Sequence, residues 1–355
     1  MKKMFVLIIT GLFLASGLSA CACHRKKAPK STNISTNVVK NLDVLATMES
    51  KSTSPNQVWV GTFQLVWNDL MDELLKQPIT FVGKKSQMAE DLNKQSFKAE
   101  NISESAYYKK WGLASLALKK EIEKGIKDKF NEKSAILDNF DWTPANGHYI
   151  LYAMLKKDFE YAKALDKLNS ESFNGSKGNV EYFGILKSSK TKARDIVNVL
   201  FYNDMNDFAV SLKTKQNDVV YFYRTNDNKT FAEYYADMNK KAKASTTNRE
   251  FTKRDELKIP NLDFKTETVF GELCNKAIKN SDLVIAKAVE TVEFKMDNKG
   301  VKLKSEAGIE MMRASLDPPQ KSRYFYLTNQ YVIFLQDKDK PYFALKVADA
   351  KALQK

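Results

Sequence analysis

The chain has 355 residues and a formal net charge of +14, because 57 lysine and arginine residues outnumber 43 aspartate and glutamate residues. Hydrophobic residues at 43% and aromatic residues at 11% are typical of globular proteins and exclude an intrinsically disordered chain. The basic residues are spread along the whole chain rather than gathered into a stripe, so we expect a solvated basic surface and no nucleic-acid partner.

The first residues predict export and attachment to a membrane. A basic start and an apolar stretch at 4–18, too short for a comfortable membrane span, are typical of a signal peptide covering residues 1–20. Leu18-Ser-Ala-Cys21 resembles a bacterial lipobox, which implies cleavage before Cys21 and a lipid on its thiol. The alternative is an ordinary signal peptide cut at the same bond. The basic run 24–27 would strengthen contact with anionic lipid, so we expect a domain anchored to the cell membrane or outer membrane and facing the periplasm or the exterior.

Residues 21–57 are rich in Ser, Thr, Asn and Lys and show little periodicity, which predicts a flexible, lipidated tether. A single folded domain is then expected over 58–355. Its first part carries apolar residues at helical spacing, which predicts helices within 58–75, 85–97 and 115–131.

The chain after residue 140 is dominated by strand patterns. An apolar run at 147–155 predicts a strand buried on both faces. After it, helical spacing of apolar residues returns only in two short stretches, 231–240 and 270–280. Because strands follow one another without regular alternation with helices, the fold class predicted is α+β with mostly antiparallel sheets.

Residue types that would support catalysis are scarce. The two histidines are His24, in the tether, and His148, at the start of a predicted strand. Nucleophile, zinc and phosphate-loop motifs are all missing from the sequence. Cys274 is the one cysteine of the folded part and is expected to be a buried, inert thiol. We therefore predict neither an enzyme nor a cofactor or metal site.

The region around which the rest is organised lies near the end of the chain. A strand pattern at 285–296 is followed by the turn sequence Asp297-Asn-Lys-Gly300, and paired strand patterns return after 322. The stretch 301–322 between them has no firm period. Long loops of this kind inside a compact domain are usually functional or disordered.

This order of elements resembles the C-terminal end of the serpins, a superfamily of protease inhibitors. The residues that carry the resemblance are Lys287-Ala-Val-Glu-Thr-Val-Glu-Phe294, Asp297-Asn-Lys-Gly300, Pro318-Pro319, 331–335 and 341–347. Weaker similarity extends back to about Glu121. The resemblance implies helices packed around a large, mostly antiparallel central sheet, with smaller sheets and an exposed C-terminal reactive-type loop.

The resemblance also implies a function. Residues 301–322 would be bait for a trypsin-like serine or cysteine protease, with Arg313-Ala314 as the scissile bond. Counting back from the two prolines favours Ser315-Leu316 instead, and both registers stay open. The protein implied is a monomeric, lipid-anchored inhibitor.

In inhibitory serpins the cut loop enters the sheet through a hinge of small residues. Here the hinge would begin at Gly300, and the inward positions would be Val301, Leu303, Ser305 and Ala307, with period two intact. Lysines occupy the alternate positions, and the hinge is not rich in alanine. The alternative is therefore a non-inhibitory serpin-like binding lipoprotein.

Overall fold

The computed structural model describes residues 39–144, 148–189, 191–301 and 322–354. Cys21 and the segment 302–321 lie outside these ranges. No helix in the described ranges has both the length and the apolar character needed to cross a membrane.

The described residues form strands and a small number of helices. The strands are β1 (Leu42–Leu45), β2 (Asn56–Val60), β3 (Tyr107–Leu113), β4 (Tyr149–Leu155), β5 (Phe159–Glu160), β6 (Asp166–Ser172), β7 (Asn179–Ile185), β8 (Val197–Asp204), β9 (Asp207–Lys213), β10 (Val219–Arg224), β11 (Glu256–Pro260), β12 (Leu262–Val269), β13 (Val289–Met296), β14 (Gly300–Val301), β15 (Tyr324–Tyr326), β16 (Tyr331–Gln336) and β17 (Pro341–Val347). The α-helices are α1 (Thr62–Asp69), α2 (Gln87–Leu92), α3 (Leu116–Phe130) and α4 (Phe231–Ala244).

The largest sheet has seven strands in the order β1-β2-β17-β16-β10-β9-β8. All neighbours are antiparallel except β1 and β2. Every residue of β17 is buried, as its nearly continuous apolar sequence requires of a strand covered on both faces. The predicted α+β fold with a large, mostly antiparallel sheet is confirmed.

Four smaller sheets accompany it within the described ranges. One has the order β15-β11-β7-β6, and the others are the pairs β12-β13, β14-β5 and β3-β4. The strand predicted at 147–155 is β4, but it is not buried on both faces: Tyr149 is exposed, three of the other residues are half-buried, and its ladder partner is β3. Strand β3 was not predicted, because the adjacent charged residues at 109 and 110 interrupt its apolar pattern.

The folded part begins before Val58, so the predicted tether over 21–57 is wrong for residues 39–57. Val44 of β1 pairs with Val58 of β2, which places this stretch in the largest sheet. Asn56 is fully buried, and its side chain accepts from the backbone amides of Ala348 and Asp349 at 3.0 Å. Buried polar residues that bond to the backbone interrupt the alternation of apolar and polar residues by which a strand is recognised. The sequence pattern of β2 is therefore weak.

The helices cover parts of this framework. The predicted helix at 115–131 is α3, which Ser115 caps by accepting from the Leu118 amide at 3.1 Å. At the start of α4, Thr230 and Glu233 form a reciprocal capping box. Helix α1 continues as a wider π-helical turn, Leu70–Leu75, and the helix predicted at 270–280 is only the turn Gly271–Leu273.

Candidate functional site

The described structure fixes the two ends of the segment 302–321, and the first end is a tight turn. After β13, the amide of Asp297 donates to the carbonyl of Gly300 at 3.2 Å. Gly300 then pairs with Glu160 of β5. Its φ is +144°, and a Cβ at this position would lie 2.6 Å from both the Cα of Glu160 and the carbonyl oxygen of Phe159. Only glycine fits this close approach of two backbones.

The turn itself is bound to the chain that follows β5. The Leu165 amide donates to the carbonyl of Asn298 at 2.8 Å, and the Asn298 side-chain amide donates back to the Leu165 carbonyl at 3.0 Å. The Tyr161 amide donates to the carbonyl of Lys299 at 3.0 Å. The residues before the segment are thus held by backbone hydrogen bonds that do not depend on side-chain identity, Asn298 excepted.

The second end is held by a buried ion pair. Arg323 is 5% exposed, and its guanidinium donates to both carboxylate oxygens of Asp255, at 3.1 and 2.7 Å. The same guanidinium donates to the carbonyls of Asn248 and Glu250. The Arg323 backbone amide also donates to Asp255, at 3.1 Å. A two-pronged arginine–carboxylate pair with backbone support fixes both position and orientation.

Strand β13, which leads into the first turn, has one buried face. Val292, Phe294 and Met296 are buried, while Glu293 and Lys295 between them are exposed. Glu290 departs from this pattern, because it is on the buried face at 4% exposure and neither of its carboxyl oxygens has a hydrogen-bond partner among the described residues. Burial raises the pKa of Glu290 to about 8, and the nearby Phe63 amide offsets the rise only in part.

Strands β13 and β4, like the other terminal strands of the sheets, keep one edge without a ladder partner among the described residues. Strand β13 pairs only with β12, and strand β4 pairs only with β3. Both strands adjoin one apolar cluster: Leu151 of β4 and Ala288, directly before β13, belong to it together with Phe63. Unpaired strand edges offer backbone donors and acceptors to a further strand.

The structure describes only some of the predicted site residues. It places Gly300 in the first turn and the backbone of Val301 in β14. The other hinge positions Leu303, Ser305 and Ala307, both scissile-bond candidates (Arg313-Ala314 and Ser315-Leu316) and the lipidation site Cys21 lie outside the described residues. They remain predictions.

Sequence reasoning missed the second anchor. Arg323 and Asp255 are 68 positions apart, and neither stands in a motif that marks it as paired.

Cys274, expected to be inert, is half-buried, and burial raises the pKa of its thiol. Within the described ranges, no group of three or more His, Cys, Asp or Glu side chains is placed to hold a metal ion.

Comparison with solved structures gives matches of low sequence identity. The chain is similar to a complex of thyroxine-binding globulin with thyroxine at 13% identity and a TM-score of 0.43, over 66% of this chain and 65% of that one. It is similar to human thyroxine-binding globulin at 11% identity and a TM-score of 0.46, over 80% and 95% of the two chains. A serpin of the insect Tenebrio molitor gives 11% identity and a TM-score of 0.40, over 82% and 74%.

The third of these structures is described as a serpin, the family whose C-terminal end the sequence resembles. All three TM-scores lie below 0.5, so these similarities carry no argument about this chain's family or activity. The chain spans just under two thirds of the first of these proteins. No family model and no curated protein matches the chain.

Proposed function

We propose that the chain is a serpin-like inhibitor of a trypsin-like serine or cysteine protease, with the segment 302–321 as bait. Arg313-Ala314 is the bond offered to the protease, and Ser315-Leu316 is the alternative. The observation that supports this proposal is the pair of anchors. A segment of this length, tied at Gly300 on one side and at Arg323 on the other, suits presentation to a protease active site.

The unpaired edges of β4 and β13 support the second step of the proposal. After the protease has formed an acyl-enzyme at the bait bond, the part of the bait still joined to β13 would pair with these strand edges as a new strand. Its backbone donors and acceptors would then pair, which releases free energy stored in the uncut protein. The protease would be carried along and distorted before it could deacylate.

The trap can be tested on a denaturing gel. The full chain is incubated with trypsin, and we expect a band at the summed mass of the two proteins, since the acyl-enzyme bond survives denaturation. Trypsin with a blocked active-site serine should give no such band. Cleavage within 302–321 that leaves all the trypsin active would contradict the proposal.

The two registers of the bait bond predict different variants. Arg313→Gln should abolish the band with trypsin if Arg313-Ala314 is attacked. If Ser315-Leu316 is the bond, the same variant should still form a band with a protease that prefers small residues. Sequencing the released peptide identifies the bond in either case.

We further propose that Cys21 carries a lipid and that the protein is a monomer anchored to a bacterial membrane. The support is the lipobox-like Leu18-Ser-Ala-Cys21 and the basic run after it. Cells fed labelled palmitate should label the wild-type protein and not Cys21→Ser. Equal labelling of both would contradict the lipid anchor.

The alternative function, a non-inhibitory binding lipoprotein, is favoured by the composition of the hinge. Lys302 and Lys304 stand in a stretch that inhibitory serpins fill with small residues. If cleavage is clean and the protease stays active, this alternative replaces the inhibitor.

A further inference from the structure

A cavity of about 470 Å³ has a lining that includes none of the anchor residues Gly300, Asp255 and Arg323. It is open to solvent and bounded by the hairpin between β6 and β7, the turn between β8 and β9, the end of β10, strands β11 and β15, and the connection from β15 to β16. Its lining residues include Glu171, Asn174, Asn206, Arg224, Lys258 and Tyr326. The volume is within the range of small-molecule sites.

Arg224 is the unusual member of this lining. It is only 2% exposed, and its guanidinium donates to three neutral oxygens: the side-chain oxygens of Asn226 and Asn206 at 2.8 and 2.9 Å, and the carbonyl of Gln330 at 2.8 Å. Among the described residues, none of its hydrogen bonds goes to a carboxylate. The carboxylate of Asp204, which is exposed, acts on it only through its charge.

A buried cation without an anionic partner is costly, and proteins normally pair it. Arg323 shows the usual solution in this same chain, since it is buried to a similar degree and bonds to both oxygens of Asp255. Burial lowers the pKa of Arg224, and the charge of Asp204 only partly compensates. The cavity therefore holds a desolvated positive charge that an incoming anion would stabilise.

Lys258 supplies a second cation to the cavity. Its ammonium group donates to Glu171 at 2.7 Å and lies 5.0 Å from the centre of the Tyr326 ring. The lysine side chain is 10% exposed, whereas that of Glu171 is 51% exposed, so the carboxylate can turn towards solvent. The lining thus contains two cations and one anion, Glu171, a surplus of one positive charge.

Hydrogen bonds to backbone carbonyls tie the walls of the cavity to one another. The Asn174 amide donates to the Thr328 carbonyl at 2.8 Å, which ties the β6–β7 hairpin to the connection after β15. The Gln330 side chain donates to the carbonyls of Thr225 and Asp227, at 3.2 and 2.7 Å, which ties that connection to the end of β10. A preformed site loses little entropy when a ligand binds.

We propose that this cavity binds a small oxyanion, a carboxylate or a phosphate group, on the guanidinium of Arg224 with Lys258 beside it. Planar guanidinium groups match the spacing of two oxygens in either group. The amide side chains of Asn174 and Asn206 provide donors for the remaining oxygens. This site is independent of the bait segment and of protease inhibition.

Calorimetric titration of the full chain with inorganic phosphate and, separately, with acetate tests the proposal at constant ionic strength in chloride. We expect saturable binding of one anion per chain to at least one of the two probes. The probe that binds more tightly tells whether the natural ligand carries phosphate or carboxylate. Heats no larger than those of a chloride blank, with both probes, would overturn the proposal.

Arg224→Gln should weaken the binding at least tenfold. Arg194→Gln is the control: Arg194 is half-buried and, like Arg224, donates to neutral oxygens, here the backbone carbonyls of Leu186, Thr252 and Asp255, but it does not line the cavity. Because Arg224→Gln could unfold the chain, Lys258→Gln is measured as well and should weaken binding severalfold. Binding that persists unchanged in both folded cavity variants would overturn the proposal.

Discussion

Glu290 is a carboxyl group placed among apolar side chains, opposite Thr268 on the neighbouring strand. Its pKa is about 8 in the folded chain and near 4.5 when unfolded. The folded state therefore binds more protons between these two values, and the free energy of unfolding must fall as the pH rises through that window. Below the window both states are protonated, and above it the penalty is complete.

The variant Glu290→Gln should remove this dependence, since glutamine cannot ionise. We expect the wild-type stability to fall by up to about 1.4 kcal/mol per pH unit relative to the variant between pH 5 and pH 8. Urea unfolding of both proteins over this range measures the difference. Glu293→Gln, on the exposed face of the same strand, is the control and should follow the wild type. Parallel curves for wild type and Glu290→Gln would contradict the assignment.

Both the space around position 300 and its backbone conformation require glycine. Gly300→Ala puts a Cβ 2.6 Å from the backbone of Glu160, so β14 must move away from β5. We expect a loss of about 2 kcal/mol or more in the free energy of unfolding. Gly271→Ala is the control, because no atom lies within 4 Å of its Cβ position and its φ is not positive. Equal unfolding midpoints for the two variants would disprove the constraint.

Arg323 directly precedes β15, the strand that follows the segment 302–321. Asp255→Asn should leave that guanidinium buried without its counter-charge and lower the free energy of unfolding by about 3–5 kcal/mol. The double variant Asp255→Asn with Arg323→Met should lose less than the sum of the single losses, because the residues act as a unit. Additive losses in urea unfolding would show that the pair is not coupled.

Elements with a strong period were predictable from the sequence, and those that depend on distant partners were not. Helix α3 and strands β16 and β17 show their apolar pattern within the segment itself. Strand β2 is stabilised by β17, almost 300 positions away, and its buried Asn56 and Gln57 look like linker residues. In the candidate site, Gly300 could be predicted from its turn sequence, whereas the Arg323–Asp255 pair needed the fold.

At the scale of the whole molecule, the inhibitor proposal predicts that a cut makes the protein more stable. One cleavage within 302–321, followed by strand insertion beside β13, should raise the Tm by roughly 10 °C or more, because several kcal/mol of new pairing are gained. Thermal unfolding of cut and uncut protein measures this. An unchanged or lower Tm would contradict the trap mechanism and favour the alternative function, a non-inhibitory binding lipoprotein.

Ser305→Arg tests whether such a gain comes from insertion. Ser305 is one of the predicted inward positions, and an arginine there would have to be buried, at a cost of several kcal/mol. The cut variant should therefore gain little or no Tm. Lys304→Arg, at a predicted outward position, is the matched control and should gain as much as the wild type.

The position of β17 between β2 and β16 has a consequence for how the protein is made. Gln57, near the start of the folded part, pairs with Lys346, nine residues before the end of the chain. During synthesis, β2 therefore has no neighbour on that side until β17, almost 300 positions later, has been made. A chain with its largest sheet still open lacks the cooperative stability of the finished domain. This topology therefore delays the closing of the largest sheet until β17 is available.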